Sequence, residues 1–140
     1  MRALLSVADR TGVADLAREL LALGVDVVAT DGTREALAAD GIAVRAISEL
    51  THAAPLIGGQ VKTFHPEIYA GILARRDMPA ELESLLAHGI GLIDLVVVNV
   101  RPLGIGTVGG SLAIDEAAAR IDVGGLALLS AAGRSFVALP

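Results

Sequence analysis

The hydrophobic positions of the chain switch repeatedly between the short apolar runs of buried strands and the three-to-four-residue repeat of amphipathic helices. Residues 2–7 (RALLSV) are the first apolar run and predict a strand. In GVADLARELLALG, Val13, Leu16, Ala17, Leu20 and Leu21 recur at helical spacing, and Gly24 offers a C-terminal stop. Val25 to Thr30 predict a second strand, TREALAADG a short helix ending near Gly41, and Ala43 to Ile47 a third strand. Ser48 to Pro66 read as irregular, and YAGILA as a candidate strand. Met78 to His88 predict a helix with Pro79 in its first turn. Ile93 to Val100 (IDLVVVNV) is apolar on both faces, which places it at the centre of a parallel sheet. SLAIDEAAARI predicts a helix capped by Ser111, GGLALLSAAGR another opening at Gly124 and Gly125, and SFVAL a terminal strand.

Strands alternating with helices over short connections define the α/β class. The expectation is a three-layer sandwich around a mainly parallel central sheet, folded as one domain over residues 1–140. Ligands of such sheets bind beyond the carboxyl ends of the strands. That directs attention to SVADRTG, ATDGT, VNVRPL and DVGG.

Composition narrows the chemistry. A 54% hydrophobic chain readily fills one core. Phe64, Tyr69 and Phe136 are the only aromatic residues and the net charge is −5, so neither base stacking nor phosphate-backbone binding is expected, and no nucleic-acid partner. The absence of cysteine excludes disulfides and thiolate metal sites, and His52, His65 and His88 lack metal-ligand spacing, so no metal is expected. No run reaches the roughly 18 apolar residues of a membrane helix, and MRALLSVADR meets Asp9 too early for a signal peptide. The expectation is a soluble cytoplasmic protein with no membrane partner. Neither a GxSxG elbow nor a GxxxxGK[ST] loop occurs.

The loops carry anion-binding chemistry. ATDGTRE leaves a strand and enters a helix: Thr30 and Thr33 offer hydroxyls, Gly32 offers backbone access, and the helix start offers free N–H groups. The alternative is that Asp31 or Thr33 only caps the helix, and Asp31 puts a negative charge where an anion would lie. SVADRTG repeats the design with Ser6, Arg10 and Thr11, and IDVGGLALL sets Asp122 before two glycines. Three such loops at one sheet edge point to a phosphorylated ligand. Lys62 is the only lysine; the other ten cationic side chains are arginines. A guanidinium stays charged at any working pH, whereas an ammonium gives up its proton when buried or crowded by cations. Lys62 lies in GGQVKTFHP, an irregular stretch of the kind that carries sites. His65 there is an acid–base candidate or a loop-ordering residue before Pro66.

LLSVADRTG, VVATDGT, GGQVKTFHPEIYAGILARR, IDLVVVNVRPL and RIDVGG follow one another in an order and spacing that resembles the cyclohydrolase half of the bifunctional AICAR transformylase/IMP cyclohydrolase family, whose fold is called methylglyoxal-synthase-like. The resemblance runs from Met1 to about Pro140. It implies closure of the second purine ring: the carboxamide nitrogen of a formamido-imidazole-carboxamide ribotide attacks the formyl carbon, and water leaves to give a purine nucleotide such as IMP, with no cofactor. Lys62 matches the family's central lysine, a proton donor or oxyanion stabiliser, and Asp122 its aspartate, which orients a donor or accepts a proton. Ser6, Arg10, Thr30, Gly32 and Thr33 fall on its phosphate loops, and Gln60, Thr63, Asn99, Gly124 and Gly125 on positions lining its pocket. The partners implied are a small-molecule ribonucleotide and a second copy in a homodimer; a separate formyltransferase is left open.

Departures accompany the resemblance. The family has lysine at Arg10, a second glycine at Asp31, arginine at Gln60 and tyrosine at Arg101, and it has AAKNH where this chain has AGRSF. Arg101 and Arg134 therefore stand where the family keeps groups that handle protons, and are candidate catalytic positions carrying permanent charge. The readings that follow are a ring-closing enzyme, standard or rebuilt for a modified ribotide, and a non-catalytic nucleotide-binding or regulatory module.

Overall fold

The computed structural model describes residues 1–54, 56–101, 118 and 120–136. Four strands form one sheet in the order β3-β2-β1-β4: β1 (Arg2–Val7), β2 (Asp26–Ala29), β3 (Arg45–Ala46) and β4 (Leu95–Asn99). All three pairings are parallel, with Leu4 opposite both Val28 and Val96. Period-two alternation sends Ala3, Leu5 and Val7 to one face and Leu4 to the other. The first face packs on α1 (Val13–Ala22) and α2 (Asp31–Ala39) through Val13, Ala17, Leu20 and Leu37. The second packs on α3 (Ile47–Thr51), α4 (Pro66–Leu73) and α6 (Val123–Ser135) through Ile47, Leu50, Ile68, Ile72 and Leu128. The expected three-layer α/β sandwich is what forms. α5 (Pro79–Ala87) buries none of its residues.

Three expectations need correction. YAGILA is not a strand: its first five residues belong to α4, which is capped by His65, whose Nδ1 accepts from the Glu67 amide, with Pro66 in the first turn. Ser48 to Pro66 is not wholly irregular, because α3 and a 3-10 turn over Ile57–Gly59 lie within it. Among the described residues β4 is an edge strand, not the central one, and its residues are half-buried rather than enclosed on both faces. The predicted helix at 111–121 and the predicted strand at 135–139 fall largely outside the described residues; Ser135 ends α6.

The sheet is fastened at the end away from the strand tips. Asp26 receives Arg2 Nε at 2.8 Å and Arg45 Nη1 at 3.0 Å, joining β1, β2 and β3. The Arg2 amide donates to Asp94 at 2.8 Å. Arg76 closes the end of α4 by donating to the Ala74 carbonyl at 3.0 Å, and it stacks 5.0 Å over the Phe136 ring after α6. Polar fixings at this end leave the opposite loops free to form a site.

Candidate active site

Beyond the carboxyl ends of β1, β2 and β4 lies a cavity of about 620 Å³. Its wall brings together Ser6, Arg10, Thr30, Gly32, Thr33, Gln60, Lys62, Thr63, Arg101, Asp122, Gly124 and Gly125. Asp31 is not among the lining residues, so its carboxylate does not occupy the anion position feared from the sequence.

The wall at β1 and β2 is a hydroxyl cluster with a helix start. Thr30 Oγ1 donates to Ser6 Oγ at 3.4 Å, and Thr33 Oγ1 accepts from the Val7 amide at 3.0 Å. Thr30 makes no side-chain cap, and the first amide of α2 with a backbone acceptor is Arg34, on Thr30 O at 2.8 Å. The amides before it have no intrahelical acceptor, so they offer N–H groups and the positive end of the helix dipole. Arg10 lies against this turn: a Cβ on Gly32 would stand 3.5 Å from its Nη2.

The wall at α6 is built on close approaches. Asp122 Oδ1 accepts from the Gly125 amide at 2.8 Å, so the carboxylate caps α6. A Cβ on Gly124 would stand 2.9 Å from Thr63 Oγ1, and one on Gly125 would stand 2.5 Å from Asp122 Oδ2 and 2.9 Å from Val100 Cγ1. Only glycine lets the start of α6 sit against both segments. Lys62 folds back over the 3-10 turn: its Nζ is 3.3 Å from the Cβ position of Gly59, whose φ of 83° needs glycine in any case. Thr63 is buried, and neither its hydroxyl nor that of Tyr69 has a hydrogen-bond partner among the described residues. Burial raises the Tyr69 pKa; the nearby Thr63 hydroxyl opposes this without reaching the geometry of a formed hydrogen bond.

Two expected site residues lie elsewhere. Asn99 is absent from the lining because its side chain is turned onto the loop after β1. Arg134 is near the far end of α6, twelve positions beyond Asp122, which at about 1.5 Å per residue is roughly 18 Å along the axis. It lines a second cavity, with Arg75, Glu81 and Ser135. His65 caps α4. Arg120 lines the site and was not singled out from the sequence; its place two residues before the Asp122 cap was the available signal. Among the described residues no cluster of His, Asp or Glu forms a metal site, and no helix is long and apolar enough to cross a membrane.

A three-layer α/β sandwich with a cation-lined cavity of nucleotide size beyond its strand tips is the arrangement in which parallel α/β domains place their small-molecule sites. The chain belongs to the MGS-like domain family, which it matches over residues 12–127. It is 42% identical over 139 residues to the bifunctional purine biosynthesis protein PurH of Chloroflexus aurantiacus, a match covering 99% of this chain and 27% of that protein. It is 44% identical over 138 residues to PurH of Lactiplantibacillus plantarum, again over 99% of this chain and 27% of that protein. The chain thus spans about a quarter of the length of these curated relatives. The crystal structure of ForH superposes with a TM-score of 0.78 and 36% identity, over 96% of this chain and 67% of that one. The methylglyoxal-synthase-like fold and the kinship with purine biosynthesis proteins are as the sequence led us to expect.

Proposed function

We propose that the chain closes the pyrimidine ring of a purine-like nucleotide, starting from a formamido-imidazole-carboxamide ribotide or a modified analogue. The observation that carries this reading is that Lys62 and Asp122 share one cavity with Arg10 and the start of α2. The phosphate binds at α2 and Arg10, which orients the ring toward Lys62 and Asp122. The carboxamide nitrogen forms a bond to the formyl carbon. One proton from that nitrogen and one from the formamido nitrogen leave with the formyl oxygen as water. Asp122 accepts the amide proton, and Lys62 stabilises the oxyanion and protonates the departing hydroxyl. No step calls for a cofactor. The test is the change in ultraviolet absorbance on ring closure: Lys62→Arg should bind the ribotide normally and lose turnover by about 10²-fold. Normal turnover in that variant refutes the role of Lys62, and no turnover of any ribotide by the wild type refutes the enzyme reading.

One observation favours a second reading, a non-catalytic nucleotide-binding module: the Asp122 carboxylate already caps α6. A wild-type chain that binds ribotides without converting them would decide for it. The proposal extends to a cytoplasmic setting and a homodimer. The dimer is supported by Val123, Leu126 and Leu129, exposed at helical spacing on α6. Light scattering should give twice the 14.2 kDa chain mass, and a monomer at micromolar concentration would exclude it.

A further inference from the structure

We propose that Tyr69 is a positioning residue for this cavity: its hydroxyl donates to Thr63 Oγ1 once a ligand is bound, which turns the Thr63 hydroxyl hydrogen onto the carboxamide oxygen of that ligand. The proposal rests on the ribotide reading above and adds a donor to it. Thr63 lines the cavity although it is only 3% exposed, and Tyr69 stands behind the wall, on α4 and outside the lining. Both hydroxyl oxygens are buried, and neither has a hydrogen-bond partner among the described residues. The other buried side-chain atom in that state, Arg34 Nε, belongs to a residue that does not line the cavity. Left unbonded, the two hydroxyls cost stability that phenylalanine and valine of the same shape would not.

The pair has one hydrogen to spare. A threonine hydroxyl gives one hydrogen and accepts at two lone pairs. Burial pushes the Tyr69 pKa up, so the phenol keeps its proton at neutral pH and is a donor. The two oxygens are close enough for Thr63 to act on that titration, short of the geometry of a formed bond. When Tyr69 fills one lone pair of Thr63, the Thr63 hydrogen still needs an acceptor, and the cavity is the side on which a ligand can bring one. The frame around the pair is packed: Tyr69 stacks on Phe64 with ring centroids 6.1 Å apart and lies against the core cluster of α4 and α6. Thr63 Oγ1 faces the start of α6, 2.9 Å from the Cβ position of Gly124, which is itself 3.8 Å from Asp122 Oδ1. That is the Asp122 wall, not the α2 wall given to the phosphate. Lys62 takes the formyl oxygen in the reading above, so the oxygen left for Thr63 is the carboxamide's. A hydrogen bond there stabilises the negative charge that reaches this oxygen as Asp122 removes the amide proton, so it favours the transition state over the bound substrate.

The experiment titrates IMP, which keeps that oxygen as its ring carbonyl, into wild type, Tyr69→Phe, Thr63→Val, Thr63→Ser and the Tyr69→Phe, Thr63→Val double variant, and follows ring closure of the formamido-imidazole-carboxamide ribotide in each. Tyr69→Phe should melt no lower than wild type without ligand, bind IMP about threefold to tenfold more weakly, and lose more in kcat than it gains in KM. Thr63→Val should lose at least as much, and Thr63→Ser, which keeps the hydroxyl, should stay near wild type. Because Tyr69 acts through Thr63, the double variant should be no worse than Thr63→Val. Wild-type affinity and kcat in Tyr69→Phe, a lower melting temperature in that variant, or losses that multiply in the double variant overturn the inference and leave the ribotide reading standing. A wild type that binds IMP without closing the ring refutes the closure and leaves the affinities to decide this inference. A folded wild type that binds neither IMP nor the ribotide overturns both.

Discussion

Asn99, at the end of β4, holds Asp9 by both backbone groups: its Oδ1 accepts from the Asp9 amide at 2.9 Å and its Nδ2 donates to the Asp9 carbonyl at 2.9 Å. The same Oδ1 accepts from the Ala8 amide at 2.7 Å. The clamp fixes the loop that delivers Arg10 to the cavity, so Asn99 acts on the site through the loop. Asn99→Leu removes three exposed hydrogen bonds, which at about 0.5–1.5 kcal/mol each sum to at most roughly 1.5–4.5 kcal/mol, less what the loop recovers from water. Urea denaturation measures that cost. Hydrogen exchange of a peptide covering residues 8–11 should speed up in the unliganded protein, and unchanged exchange would show that the clamp does not order the loop.

Asp122 is asked to do two things, cap α6 and move a proton, and two substitutions separate them. Asparagine is as good a cap as aspartate, whereas alanine loses about 1 kcal/mol at an N-cap. Asp122→Asn should therefore keep the wild-type melting temperature and lose turnover, while Asp122→Ala should lose both. An active Asp122→Asn enzyme would reduce this residue to a cap.

Much of the fold was legible in the sequence because its strands and long helices follow simple periods. β1 occupies the predicted residues 2–7, and α1 and α6 lie where the apolar repeat puts them. α4 was misread because YAGILA is short and apolar, and such a run fits a strand or a buried helix equally well. The signal that settles it lies just upstream, in the His65 cap, Pro66 and Glu67 of the first turn. The candidate site was legible in loops that carry charge beside glycine, at Arg10, Lys62 and Asp122, which line one cavity. It was not legible at Arg134, because the motif match that singled it out does not tell that it stands at the end of α6 far from Asp122, nor at Asn99, because nothing local tells whether an amide turns toward a ligand or toward its own backbone.

Gly71 should be intolerant of even a methyl group. A Cβ there would stand 2.7 Å from the Gly91 carbonyl oxygen and 3.3 Å from Ile93 Cγ1, where α4 lies against the segment entering β4. The Gly71 carbonyl also accepts from the Ile93 amide at 2.9 Å, so the helix cannot withdraw without breaking that bond. Overpacking of this kind costs about 1–3 kcal/mol, more than alanine recovers by its better helix propensity. Gly71→Ala should lower the denaturation midpoint; a more stable variant would show that the contact relaxes freely.

The Arg2–Asp26–Arg45 cluster predicts how the domain responds to acid. Burial works to raise the Asp26 pKa, but hydrogen bonds and charges from Arg2 and Arg45 outweigh it and hold the carboxyl below its ordinary value. The folded state thus releases this proton more readily than the unfolded state. The stability it contributes is complete above the ordinary aspartate pKa of about 4 and is lost as pH falls through the depressed folded value. The cluster is partly solvent-exposed, so its share is about 1 kcal/mol or less. Asp26→Asn should lower the melting temperature slightly at neutral pH, and the gap from wild type should close as pH is taken below about 4. If the gap stays constant from pH 7 into that acid range, the ion cluster contributes nothing through its charge and Asp26 is held only by packing.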